Sequence, residues 1–393
     1  MCDIGFNIDP NIFAISLQKY WKNQGLVDEK SYWNSNSSFN QSNYVMSALL
    51  VNITYLCCMS RKKGQICSEA NIQKLLKGCQ VGKSLKGFSS FSVGLGTRTE
   101  NPKWFVTIGL VDNTDIGIIS WRGTITSNEW IADVTTGMTL KKFSTCEEIN
   151  NDRCSSFSIP GAFKNSGSKI HTKMLEIYNN TYVTYNQKRY SISQIMKDIY
   201  PNTRWIITGH SLGAALAELC AADLSARSVK INSVYLFADP SPGNDKYRHI
   251  YNDILTNNIN DVKLGKITYN ITNRNDLVPN SMSNIFWGRK LVGVTKSFNG
   301  PKSKSIDTIG LAHNMVESYL KVGVPNFFGK DKTGDITKLS LSSVNDSSGV
   351  AAGAARNGVP LYIFILLLLL SLVVVGYILF RANRSGTKFR ANR

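Results

Sequence analysis

Thr203-Arg-Trp-Ile-Ile-Thr-Gly209-His210-Ser211-Leu212-Gly213-Ala-Ala-Leu-Ala-Glu-Leu219 joins an apolar, β-branched run to a run of small residues. The first half reads as a strand over Thr203–Thr208 and the second as a helix over Leu212–Ala226. Between them stands the pattern G-x-S-x-G, with Gly209, His210 and Gly213 around Ser211. A serine raised on a sharp strand-to-helix turn needs strained backbone, and bulky side chains two positions to either side would collide. Glycines at both positions remove that collision, and Ala214, Ala215 and Ala217 let the helix pack closely. The N–H groups at the helix start favour negative charge beside Ser211. The segment therefore predicts a nucleophile elbow.

Outward from it, strands alternate with helices. Trp104–Val111 and Ile116–Trp121 read as strands joined by the turn Asp112–Asp115, and Ser127–Val134 as a helix. Residues 138–168 form a polar, cysteine-bearing insertion. Lys169–Tyr185 has helical spacing, with Ile170, Met174, Ile177 and Tyr178 on one face. Further strands are expected at Ile231–Ala238 and Lys266–Thr272, with a closing helix at His313–Val322. The alternation predicts an α/β fold with a mostly parallel central sheet. Upstream lie a helix over Tyr44–Met59 and a Gly/Ser/Lys-rich stretch, Gly78–Gly96. Its Gly78–Ser84 is one residue short of a phosphate-binding loop and follows no strong strand, so it is set aside.

A serine nucleophile needs a base, and the chain has four histidines. In this architecture the triad runs Ser, then Asp or Glu, then His. His210 adjoins Ser211 and is expected to point away from it, His171 lies upstream, and His249 precedes the best acid; His313 remains. Among the later aspartates, Asp276 follows a strand directly, where such sheets place catalytic groups. Of the other candidates, Asp239, Asp245, Asp253, Asp261 and Asp307, most read as surface-loop residues. A tetrahedral intermediate also needs pre-placed donors. The N–H of Leu212 supplies one, and Thr124, after the strand ending at Trp121, supplies the other.

Trp121-Arg-Gly-Thr124, Asn128-Glu-Trp130-Ile-Ala-Asp133, Gly209-His-Ser-Leu-Gly213, Asn273-x-x-Asp276-x-Val-Pro279 and His313 followed by Tyr319 come in one order. Together they resemble the class 3 lipases, the fungal triacylglycerol lipase-like α/β-hydrolases, over roughly residues 100–320. The resemblance implies Ser211, Asp276 and His313 as triad, Thr124 and Leu212 as oxyanion hole, and a lid formed or bordered by Ser127–Val134. It implies lipid esters as substrates, triacylglycerol or phospholipid, and no metal or organic cofactor. Lys169-Ile-His171-Thr-Lys-Met174 departs from the family's Val-His-x-Gly-Phe. Phe237-Ala-Asp-Pro240-Ser lacks the arginine of Phe-Gly-x-Pro-Arg. Both departures bear on substrate range more than on catalysis.

Apolar residues make up 42% of the 393 and charged residues 18%, which excludes wholesale disorder. The formal charge is +18, and five of the cations (Arg381, Arg384, Lys388, Arg390, Arg393) fall in the last thirteen residues, leaving +13 on the rest. Such a surplus suits an anionic lipid surface. Nucleic acid is not expected, because no aromatic-basic module accompanies the charge. The alternative to an enzyme is a silent α/β-hydrolase acting as a membrane-bound binding or structural protein. Eight cysteines without a C-x-x-C pair make a zinc site unexpected, and Cys146 and Cys154 bracket a loop that an oxidising compartment would let them close. Leu361–Phe380 holds no charge and at ~1.5 Å per residue spans ~30 Å, a bilayer core. The expected organisation is therefore an N-terminal extension packed on the core over 1–99, a hydrolase domain over 100–330, a linker over 331–358, one transmembrane helix over 359–380 and a basic tail over 381–393. No cleavable signal is expected at the start. The basic tail favours the cytoplasmic side, whereas a tail anchor without a leader favours a cytosolic catalytic domain; the two orientations stay open. N-x-[ST] sequons occur at Asn36, Asn40, Asn52, Asn179, Asn270 and Asn345, among others, and Asn270, in an expected buried strand, is a poor acceptor. No oligomeric state follows.

Overall fold

The computed structural model describes residues 37–59, 85–90, 106–111, 115–123, 140–142, 163, 167–179, 181–185, 188–256, 261–276, 278–282, 290–301 and 312–328. All of them belong to one compact unit, Met1–Ser303 with Thr308–Ser340. Thr124, the expected Ser127–Val134 helix, Gly78–Ser84, Cys146, Cys154, Asp307, Asn36, Asn345 and everything from 331 onward, including the 359–380 span and the basic tail, lie outside the described residues. Among the described residues no helix is long and apolar enough to cross a membrane.

Seven strands form the central sheet: β1 (Leu85–Ser90), β2 (Val106–Val111), β3 (Ile116–Trp121), β8 (Arg204–His210), β9 (Ile231–Phe237), β10 (Thr268–Asn273) and β11 (Val294–Phe298), side by side in that order. The β1–β2 and β2–β3 pairs are antiparallel, and from β3 to β11 every pair is parallel. The expected mostly parallel α/β sheet is present. From Trp205 to His210 every residue of β8 is buried, as a strand covered on both faces requires. Alternation decides which side chain meets which layer. Trp205, Ile207, Val234 and Leu236 pack into one core with helices α2 (Thr172–Asn179), α3 (Ile192–Asp198) and α4 (Leu212–Ala226). Tyr235 and Phe237 face the opposite layer, where Tyr44 of α1 (Gln41–Met59) and Phe39 just before it pack against them. A final helix pair, π-helical Met315–Gly323 and α6 (Val324–Phe328), packs beside α1. Between α4 and α6 in the chain stands α5 (Asp245–Asp253).

Several expected elements differ. The helix expected over Lys169–Tyr185 is strand β5 (Lys169–His171), then α2, then strand β6 (Tyr182–Tyr185). Lys169 and His171 N–H groups donate to Asn244 Oδ1 and the Pro242 carbonyl, at 3.0 and 2.8 Å, which draws the start into extended pairing. Tyr-Val-Thr-Tyr at 182–185 is aromatic and β-branched, suits a strand, and pairs with β7 (Lys188–Ser191). The 138–168 insertion contributes β4 (Leu140–Lys142), antiparallel to β5, and the Gly/Ser/Lys-rich stretch contributes β1. Lys266 ends a tight 3₁₀ turn from Leu264, so β10 begins at Thr268. The closing helix is π-wound and starts at Met315. Asp239 is no surface-loop residue: it is fully buried, accepting from the Ser241 N–H at 2.9 Å and from Asn270 Nδ2 at 3.0 Å. Asn270 is likewise buried, as its strand position implied.

Opposite Asp239, Glu218 on α4 is fully buried with Tyr247 and Tyr251 facing it. Burial first, and then the charge of Asp239, pushes its carboxyl well above the usual range. An unfolded chain ionises this carboxyl at about 4.3. Above that pH the unfolded state binds fewer protons than the folded one, so stability falls as pH rises until the folded carboxyl also ionises, at up to about 1.4 kcal/mol per pH unit. Glu218→Gln removes the ionisation and is expected to flatten the decline of Tm between about pH 5 and about pH 8; parallel Tm curves for the two proteins would contradict the assignment.

Candidate active site

Ser211 sits where β8 ends and α4 begins, with φ 57° and ψ −130°. That is left-handed backbone for a non-glycine residue, a strained conformation that the surroundings must enforce. They do so through the Ser211 N–H, which donates to the Phe237 carbonyl at 3.0 Å, and through the Ser211 carbonyl, which accepts from Ala214 at 2.8 Å. The flanking glycines explain themselves: a Cβ on Gly209 would stand 2.0 Å from the Gly213 oxygen, and one on Gly213 would stand 2.5 Å from the Trp121 oxygen. Ser211 itself is 7% exposed. Leu212, the first residue of α4, is buried beside it, and its N–H lies at the electropositive helix end.

His313 and Asp276 come together although 37 residues apart: His313 Nδ1 lies 2.8 Å from Asp276 Oδ2. Asp276 is fully buried, while the His313 side chain keeps 16% of its surface exposed, which leaves the ring an open side. The same Oδ2 accepts from Tyr319 Oη at 2.9 Å, and Oδ1 accepts from the Val278 N–H at 3.0 Å. Burial, then the Asp276 charge, pushes the Tyr319 phenol well above its usual range, so it stays a donor. Asn273 ties the two turns. Its Nδ2 lies 3.1 Å from the Ala312 carbonyl and 3.0 Å from Ser318 Oγ, while its Oδ1 accepts from Asn275 and Gly300 N–H groups at 3.0 and 2.9 Å.

His210 is more than a spacer pointing away from Ser211. It is buried, its ring centroid lies 4.4 Å from that of His313, and it also touches the Tyr319 ring at 5.8 Å. Burial, then the charge of His313, holds its imidazole well below the usual range, hence neutral. This contact brings His313 against the residue that precedes Ser211. Trp121 pairs with Gly209, so Arg122 and Gly123 leave β3 at the same sheet end as the elbow, heading toward residue 124. Arg122 is fully buried and its Nη1 donates to the Gly123 carbonyl at 2.7 Å. Among the described residues no cluster of three or more His, Cys, Asp or Glu could hold a metal. In the sequence Asn273 and Tyr319 are marked by position alone, one at the strand end before Asp276 and one on the helical stretch after His313.

The family described as lipase (class 3) matches residues 118–286, a stretch that contains Ser211 and Asp276 and ends before His313. Phospholipase A1-Igamma2, chloroplastic, of Arabidopsis thaliana is 26% identical over 227 residues, 50% of this chain and 38% of that protein. Phospholipase A1-II 1 of Oryza sativa subsp. indica is 26% identical over 208 residues, 49% of this chain and 47% of that one. The chain spans less than half the length of these curated relatives. Among solved structures, lipase II from Rhizopus niveus is similar at 18% identity, covering 67% of this chain and 82% of that one, with a TM-score of 0.41.

Proposed function

We propose that this chain is a serine hydrolase of the class 3 lipase type that cleaves carboxylic esters of lipids through Ser211, His313 and Asp276. One observation carries the reading: an elbow serine at positive φ, with a His–Asp pair, its aspartate buried, whose imidazole packs through His210 against the same elbow. The ring nitrogen of His313 not bonded to Asp276 takes the Ser211 proton as the hydroxyl oxygen attacks the ester carbonyl carbon. Asp276 holds the ring in the needed tautomer and balances the imidazolium that forms. The N–H of Leu212 and the donors of Thr124 receive the carbonyl oxygen as it becomes negative, each such donor contributing roughly 3–4 kcal/mol. Collapse of the intermediate breaks the bond to the alcohol, which leaves with the proton from His313. Water then repeats the sequence on the acyl-serine and releases the fatty acid. No metal or organic cofactor enters the scheme.

Between triacylglycerol and phospholipid, the +18 charge and the phospholipase A1 names of the plant relatives favour phospholipid. The apolar 359–380 segment would tether the site to the bilayer that supplies it. The test incubates the full chain with anionic phospholipid vesicles, neutral phospholipid vesicles and a triacylglycerol emulsion, and measures free fatty acid. Fatty acid released fastest from the anionic vesicles is the expected result. A folded protein that releases none from any of the three would favour the silent-scaffold alternative.

A further inference from the structure

We infer that helix α1, upstream of the segment matched to the lipase family, is a working part of the active site, with Tyr44 as a positioning residue for the triad acid. The inference rests on the proposed hydrolase reading. Tyr44 is fully buried and its Oη donates to the backbone carbonyl of Tyr319 at 2.7 Å. Tyr319 in turn donates from its own Oη to Asp276 Oδ2, the oxygen that His313 Nδ1 approaches. A line of contacts therefore runs from α1 to the base, through the main chain and then the side chain of Tyr319. The ring of Tyr44 also meets Phe237 edge-on at 5.2 Å, and the Phe237 carbonyl is the acceptor that fixes the Ser211 N–H. One residue of α1 thus touches the supports of both the acid and the nucleophile.

The far end of α1 reaches a third part. Thr54 Oγ1 lies 3.1 Å from Ser120 Oγ, and Ser120 precedes the Trp121-Arg-Gly run that leads to Thr124. A helix that only covered apolar surface would need no such polar contacts, each of which costs desolvation unless well made. Tyr319 has neighbours enough to hold its ring, namely Phe237, Phe298 and His210. Its main chain is what Tyr44 fixes. Without that bond the Met315–Gly323 turn can relax, and the Tyr319 phenol moves off Asp276. A carboxylate that loses a donor holds the imidazolium of His313 more strongly, so the base ionises at higher pH.

Tyr44→Phe keeps the ring and removes the bond. On a short, soluble ester the variant is expected to lose kcat by about two- to ten-fold with KM unchanged. The acid limb of its kcat profile is expected to move up by about half a pH unit, a shift that a merely structural role would not produce. Tyr319→Phe moves the limb the same way, and the double variant moves it no further, because both act on one line. Gly323→Ala approaches the bond from the other side: its Cβ would stand 2.5 Å from Tyr44 Oη, and it should reproduce the Tyr44→Phe profile. Wild-type and Tyr44→Phe profiles that superimpose, or shifts that add in the double variant, would overturn the inference. An inert wild type would instead overturn the hydrolase reading on which it stands.

Discussion

Ser211→Ala is expected to lower kcat for ester hydrolysis by about 10⁶-fold while the protein stays folded. The fall is large because the hydroxyl is the only part of the site that becomes covalently bound; donors and the base cannot act without it. Folding should survive because the contacts that fix position 211 are backbone ones, the N–H to Phe237 and the carbonyl to Ala214. Alanine has the same reluctance toward positive φ as serine, so the strain is unchanged. Steady-state rates on a soluble ester, with circular dichroism as the control, make the measurement. A loss of less than tenfold in a folded variant would mean that another group attacks the ester.

Asp276→Asn carries the second largest effect. Asp276 Oδ2 sits 2.8 Å from His313 Nδ1 and 2.9 Å from Tyr319 Oη, and both neighbours offer it a proton. An amide must choose. With its oxygen at that site the geometry survives. With its NH₂ there, it faces the phenol donor and drives His313 to the tautomer that cannot accept the serine proton. A drop in kcat of about 10⁴-fold is expected, with KM little changed. Because the position is fully buried, a mispaired amide also costs about 1–3 kcal/mol of stability, visible as a lower Tm. Near-normal kcat in this variant would separate Asp276 from the chemistry.

The parts that local sequence decides were legible. Leu212–Ala226 falls where its small apolar residues place it, and the strands on either side of it are within two residues of their expected bounds. Ser211, Asp276 and His313 stand out as candidates because an elbow serine, a strand-end aspartate and a scarce histidine leave few alternatives. What escaped was set by distant contacts. Asp239 looks like a loop residue until Asn270, 31 positions later, is seen to hold it beneath the sheet end. Strand β11 carries Thr-Lys-Ser between Val294 and Phe298 and owes its extended form to pairing with β10 rather than to its own pattern. The split of Lys169–Tyr185 depends on Pro242 and Asn244, residues no local window contains. The ring contact of His210 is hidden for a related reason: chain adjacency to Ser211 says nothing of a ring partner 103 positions later. Tyr44 lies further still from the site it supports, and only the 275-residue contact with Tyr319 reveals it.

The central claim is that Ser211 is an activated nucleophile, and covalent trapping tests it most directly. An alkyl fluorophosphonate reacts with a serine only where a base and an oxyanion site assist the attack. The full chain treated with such a reagent and analysed by peptide mass spectrometry should carry one adduct, on the peptide containing Ser211. Ser211→Ala should carry none, and His313→Ala should label far more slowly. A folded wild-type protein that takes up no label, or takes it up at another residue, would contradict the account.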